Sequence, residues 1–160
     1  MANTRDIRRL AFQALFQLDA RGESDLDAVR ASVLSDPAVD LTDEEREQAY
    51  QLAIGAYADR RAADDAIREL APTWPAHRQP AVDRVILRLA HYEMTRDGAS
   101  PKIAVNEAIE LAKQFSTERS PAFINGVLDK VLKRVLAQRD EGGGAAEGKS
   151  EMGGVLSSEF

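Results

Sequence analysis

Three arginines crowd the start of the first helical stretch: Arg5, Arg8 and Arg9, with Asp6 among them. Cations at a helix N-terminus oppose the macrodipole, so helix stability alone would favour Asp or Glu there. Their guanidiniums fan over the first turns, and two readings stay open. They contact the phosphates of a polyanion, or they form a solvated start whose stems cover apolar surface. A second set of binding-type side chains gathers at Arg119, Ser120, Phe123 and Asn125. Ser120 is placed to cap a helix, with Pro121 at the first helical position. Gly126 follows within the same helix, where it loses roughly 1 kcal/mol against Ala. Close approach of another helix is the preferred reason for it; a helix start kept clear for a ligand is the other.

Catalytic chemistry finds little to use. There is no cysteine, which removes disulfides, thiolate metal sites and cysteine nucleophiles. His77 and His91 have no matching carboxylate cluster and no activated serine beside them, so neither a metal site nor a triad is expected. No glycine-rich phosphate loop follows a strand, because no strand pattern exists. Asp64, Asp65 and Glu69 read as a solvated acidic face. Arg88 and Glu93 read as ion-paired or snorkelling structural residues. The expectation is a protein without catalytic residue, metal or cofactor.

These side chains must be positioned by helices. Ile7, Leu10, Ala11, Ala14, Leu15 and Leu18 recur at helical spacing from about Thr4 to Arg21, and Gly22 is a natural stop. Ser24 is expected to cap a second helix, with Leu26, Val29, Val33 and Leu34 inward. Thr42 and Glu45 make a capping box for a long third helix that keeps phase to Leu70, with a bend expected near Arg60-Arg61. Pro72-Thr73-Trp74-Pro75 is a rigid connector, and Trp74 is expected to plug the groove between two halves, more than to stack on a base. Pro80 opens the next helix, which Gly98 ends. Ser100-Pro101 starts another, with Ala104, Ala108, Leu111, Ala112 and Phe115 on its apolar stripe. The last carries Ile124, Val127, Leu128, Val131, Leu132 and Val135.

The chain has 160 residues, 44% of them hydrophobic and 30% charged, enough for one compact domain with a real core. Residues 138–160 are rich in Gly and Glu and are expected to form a disordered tail. Net charge is −6, which argues against a nucleic-acid partner until the acidic tail is set aside. A local basic patch is what polyanion binding requires. No apolar run reaches membrane length, and the opening MANTRDIRR lacks the apolar middle of a signal peptide, so a cytoplasmic location is expected.

Four segments carry a family resemblance. They are R-x-x-R-R-L-A-F-Q-A-L-F from Arg5 to Phe16, P-A-V-D-R-V-I-L-R-L-A-H-Y-E from Pro80 to Glu93, V-N-E-A-I-E-L-A-K-Q-F-S from Val105 to Ser116, and S-P-A-F-I-N-G-V-L-D-K from Ser120 to Lys130. With them the chain resembles the NusB family of bacterial transcription antitermination factors, from about Arg5 to Arg134. The same module also resembles the N-terminal part of an rRNA cytosine methyltransferase, whose catalytic domain has no room here.

The resemblance implies an all-α fold of two perpendicular helical bundles, about seven helices over residues 1–137. The N-terminal half covers about 4–71 and the C-terminal half about 80–137. It implies a partner, the small-subunit ribosomal protein NusE, and with it the binding of single-stranded boxA RNA. The pair then joins the RNA polymerase elongation complex and supports read-through, notably in rRNA operons. Arg5, Arg8 and Arg9 match the family's RNA-binding segment, and Arg119, Ser120, Phe123 and Asn125 fall on the matching RNA-facing side. Phe123 is open to two uses, stacking on a base or filling the core. Phe16 and Asp83 fall on the surface that meets NusE. Asp6 dilutes the basic run, Phe16 lacks the hydroxyl of the commoner Tyr, and Arg119 stands where relatives often carry an acid. The alternative is a non-catalytic scaffold, or a homodimer that buries the arginines and occludes the RNA face.

Overall fold

The computed structural model describes residues 4–37, 40–96 and 100–150. Gly98, expected as a helix stop, lies outside them, as does the end of the chain from Glu151 with Val155, Leu156 and Phe160. Seven α-helices and no strand occur among the described residues: α1 Thr4–Arg21, α2 Leu26–Ser35, α3 Asp43–Ala58, α4 Arg60–Leu70, α5 Ala81–Thr95, α6 Pro101–Phe115 and α7 Ser120–Ser150.

Local chemistry explains most boundaries. Gly22 ends α1 at φ +81°, a backbone conformation that side chains with a Cβ rarely adopt, and its N–H returns to the Leu18 carbonyl at 2.8 Å. Thr42 and Glu45 close the capping box of α3 in both directions, at 3.1 and 2.9 Å. Ser100 accepts from the Ile103 N–H, with Pro101 opening α6. Ser24 does not cap α2; it lies within a short 3₁₀ turn, Glu23–Asp25, and α2 starts after it. Val29 and Val33 are buried on α2 as expected, whereas Leu34 faces outward. The long third helix divides at Asp59 into α3 and α4, close to the expected bend.

The first bundle packs α1 on α3, with α2 against both; the second packs α6 against α5 and α7. Helix α4 lies mainly against α5 and α7, and α5 also meets α1 and α3, so the two bundles share one continuous core. Burial of its aliphatic side chains, Leu10, Leu15, Ile86, Leu89, Ile124 and Leu128 among them, is the main favourable term. At Gly55 α3 comes so near α5 that a Cβ would overlap the Tyr92 ring, an approach only glycine allows. Helix α7 continues past Ala137, where the tail was expected, to Ser150. Val135 is buried just before that limit, and beyond it the Arg139 guanidinium donates to the Met94 carbonyl at 3.2 Å, so α7 stays fastened to the body there.

Candidate nucleic-acid and partner surfaces

All three arginines at the start of α1 are engaged by carboxylates of this chain. Arg5 is the most open, its side chain 67% exposed, and it clasps both Glu107 oxygens at 3.0 Å through Nε and a terminal nitrogen. That shared hydrogen bonding, with the direct charge attraction, holds Arg5 above its ordinary pKa and Glu107 below its own. Arg8 reaches in the other direction, to Glu93 of α5 at 2.7 Å, and Glu93 is only 3% exposed. Arg9 pairs with Asp6 at 3.0 Å within the first turns of α1. The helix therefore offers a basic start whose charges are oriented in advance, with Arg5 the one best presented to solvent.

Helix α6 links this start to the other candidate surface. From Glu107 to Ser116 it rises about 14 Å. At its far end Phe115 stacks against Phe12 of α1, ring centroids 5.1 Å apart. Phe12, Gln13, Phe16, Gln17, Val82 and Phe115 line an apolar groove of about 360 Å³. Phe16 is exposed on its wall.

Asp83 is not on that surface. It is 1% exposed, inside the first turn of α5, where it accepts from the hydroxyls of Ser116 at 2.5 Å and Ser120 at 2.9 Å. Ser120 is also placed differently from expectation. Its side chain is buried and turned to Asp83, away from solvent and from the role of helix cap. The first turn of α7 is closed by backbone groups, the Phe123 N–H donating to the Arg119 carbonyl at 3.3 Å. The reason is that α7 starts beside a buried carboxylate, whose need for donors outranks a cap that water can replace.

Arg119 and Asn125 are exposed. Phe123 is half-buried and packs against Trp74, with ring planes at 76°. Trp74 thereby joins the connector between the halves to α7, in keeping with its expected role as a plug. Gly126 overturns the packing expectation. A Cβ there would meet nothing within 4 Å, so the residue faces open space and not a neighbouring helix. Gly126→Ala is accordingly expected to stabilise the fold by up to about 1 kcal/mol in urea unfolding. A loss of stability would show that the face is crowded after all.

Sequence reading also missed the charge network behind these surfaces. Asp64, taken for a solvated acid, receives two hydrogen bonds from Arg88, at 2.9 and 2.7 Å. Arg88 and Arg84 both bond Asp19 at 2.7 Å. Among the described residues no group of three or more His, Cys, Asp and Glu side chains could hold a metal ion, and no helix is long and apolar enough to cross a membrane.

Comparison with known proteins agrees with this architecture. The family profile described as "NusB family" matches residues 5–133. A "Transcription antitermination protein NusB" of Anaeromyxobacter sp. strain Fw109-5 is 44% identical over 132 residues, covering 82% of this chain and 91% of that protein. Among solved structures, NusB of T. maritima superposes with a TM-score of 0.72 at 33% identity, covering 82% of this chain and 92% of that one. The antitermination factor NusB, solved with NusE and double-stranded RNA, shares the fold with a TM-score of 0.68 at 24% identity, over 82% and 96% of the respective chains.

Proposed function

The chain belongs to the NusB family, and from that premise we propose that it is a non-catalytic antitermination factor that grips single-stranded boxA RNA together with NusE. In this reading it works in the cytoplasm and helps the RNA polymerase elongation complex read through, notably in rRNA operons. Arg5, Arg9, Arg119, Phe123 and Asn125 contact the RNA, and Phe16 with its groove meets NusE. Arg8 contributes by shaping the start of α1.

The observation that carries the reading is the clasp on Arg5. The carboxylate fixes the guanidinium through Nε and one terminal nitrogen at 3.0 Å, so the other terminal nitrogen, on a side chain 67% exposed, can donate to a phosphate oxygen. Phe123 has one edge held by Trp74 and is only half-buried, which suits stacking of an unpaired base. The apolar groove beside Phe16 suits a protein partner, because RNA offers little to an apolar wall.

Arg5→Ala is expected to weaken boxA binding and to flatten the plot of log affinity against log salt by about 0.7, one phosphate contact on a single strand. Titration of the RNA at several salt concentrations, with NusE present, measures both. No RNA binding even in low salt with NusE would remove the reading. A second reading, the homodimer with its RNA face occluded, has one observation in its favour: the arginines of α1 already have intramolecular partners. A stable dimer by light scattering that never shifts RNA would select it.

A further inference from the structure

The proposed partner groove and the proposed RNA-facing helix start meet at a buried carboxylate. Val82 and Phe115 line the groove, and the next residue in the chain after each one is part of a hydrogen-bonded knot: Asp83 follows Val82, and Ser116 follows Phe115. The Ser116 hydroxyl donates to Asp83 Oδ1 at 2.5 Å. Ser120, the first residue of α7 and 3% exposed, donates to Asp83 Oδ2 at 2.9 Å, and the Thr117 hydroxyl lies 2.8 Å from the Ser120 oxygen. Three helices are thus tied by one carboxylate: α5 through Asp83, the end of α6 through Ser116 and the start of α7 through Ser120.

The proton count makes the knot directional. Each serine has one hydroxyl proton and each points it at one oxygen of Asp83, while the two serine oxygens themselves lie 2.9 Å apart. Thr117 can then donate to Ser120, so three hydroxyls and one carboxylate form a single connected cluster. The carboxylate sits in the first turn of α5, where the helix dipole favours its charge, and no ion pair joins it to a cation among the described residues. Its hydrogen bonds therefore set where α7 begins. Arg119, Phe123 and Asn125 all hang from that beginning.

We propose that Asp83, with Ser116 and Ser120, is the positioning group that couples occupation of the Phe16 groove to the RNA-facing start of α7. A partner pressing on Val82 and Phe115 shifts the groove ends of α5 and α6, and the knot carries the shift to Ser120. The inference rests on the reading of the groove as the NusE surface and of the α7 start as an RNA contact. It goes beyond that reading by assigning Asp83 and Ser120, both buried, a role that touches neither ligand.

The test is a thermodynamic cycle: boxA RNA affinity with and without NusE, and NusE affinity with and without RNA. Linkage requires the two ratios to agree. In the unaltered protein the ratio is expected to be about 5-fold or more. Ser120→Ala cuts α7 from the carboxylate but leaves the Ser116 tie, and should bring the ratio towards 1 while NusE alone still binds with little change. Asp83→Asn preserves shape and replaces one acceptor by a donor, and should lower the ratio as well; thermal unfolding confirms that each variant is folded. An undiminished ratio in both folded variants would overturn the proposal, as would a ratio of 1 in the unaltered protein. Failure of the unaltered protein to bind RNA or NusE at all would instead overturn the functional reading, and the proposal with it.

Discussion

Arg8→Ala is expected to destabilise this protein by about 3 kcal/mol, a large share of the 5–15 kcal/mol that holds a domain of this kind together. The residue resembles a simple phosphate contact in the sequence, and its neighbours Arg5 and Arg9 are more open. Its own guanidinium, however, lies 2.7 Å from a Glu93 oxygen that has almost no access to water. Removing the cation leaves a carboxylate buried beside Ile86, Leu89 and Ala90 of α5, and beside Ala104 and Leu111 of α6, with its charge uncompensated. Glu93 then drags water into the α1–α5–α6 junction. The Arg8 side chain is 18% exposed, which places the cost near the lower end of the range for breaking a buried pair. Urea unfolding of Arg8→Ala, Glu93→Gln and the double variant measures it. The double variant should recover much of the loss, since a neutral amide tolerates burial better than an unpaired charge. An Arg8→Ala midpoint unchanged to within about 0.5 kcal/mol would show that Glu93 is solvated. The expected loss of stability also means that reduced RNA binding by this variant, measured near its unfolding transition, says little about phosphate contact. Arg5 is the sounder probe.

Local order was readable because local rules produce it. Gly22, the Thr42–Glu45 box, Ser100-Pro101 and the apolar stripes of α1, α5 and α6 each depend on residues a few positions apart, and the structure places them as periodicity and capping require. What the sequence hid is pairing over long separations. Nothing near Arg5 announces Glu107, nothing near Arg8 announces Glu93, and Asp64 reads as surface until α5 brings Arg88 across it. Asp83 shows the limit most clearly. An aspartate in the first turn of a helix usually satisfies the dipole from outside, so its spacing gives no sign that Ser116 and Ser120 will enclose it. Gly126 erred in the opposite direction. Glycine inside a helix has two opposite causes, crowding and openness, and composition cannot separate them; Gly55 and Gly126 show one of each.

Arg88→Ala should cost about as much as the loss of Arg8, and for a more consequential reason. Arg88 is 11% exposed and bonds carboxylates from two different helices: Asp19 near the end of α1 through one terminal nitrogen, and Asp64 of α4 through Nε and the other. Burial by itself would lower the arginine's pKa, but hydrogen bonds and charge from Asp64 and Asp19 outweigh it and hold the group above its ordinary value. Alanine leaves Asp64 without either Arg88 bond, while Asp19 keeps the 2.7 Å contact from Arg84. The damage should therefore concentrate where α4 meets α5, one of the contacts that join the two halves beside those of α1 and α3 with α5. About 3 kcal/mol is expected, and Arg88→Lys should recover only part of it, because a single ammonium cannot hold Asp64 through two parallel hydrogen bonds and also reach Asp19. Ionic strength provides the discriminating measurement. A pair this enclosed is poorly screened, so the stability gap between Arg88→Ala and the unaltered protein should persist in high salt. The Arg5–Glu107 clasp, exposed at the arginine end, should weaken over the same range. If added salt closes the Arg88 gap, the network is a surface ornament and the two bundles are held together by apolar packing alone.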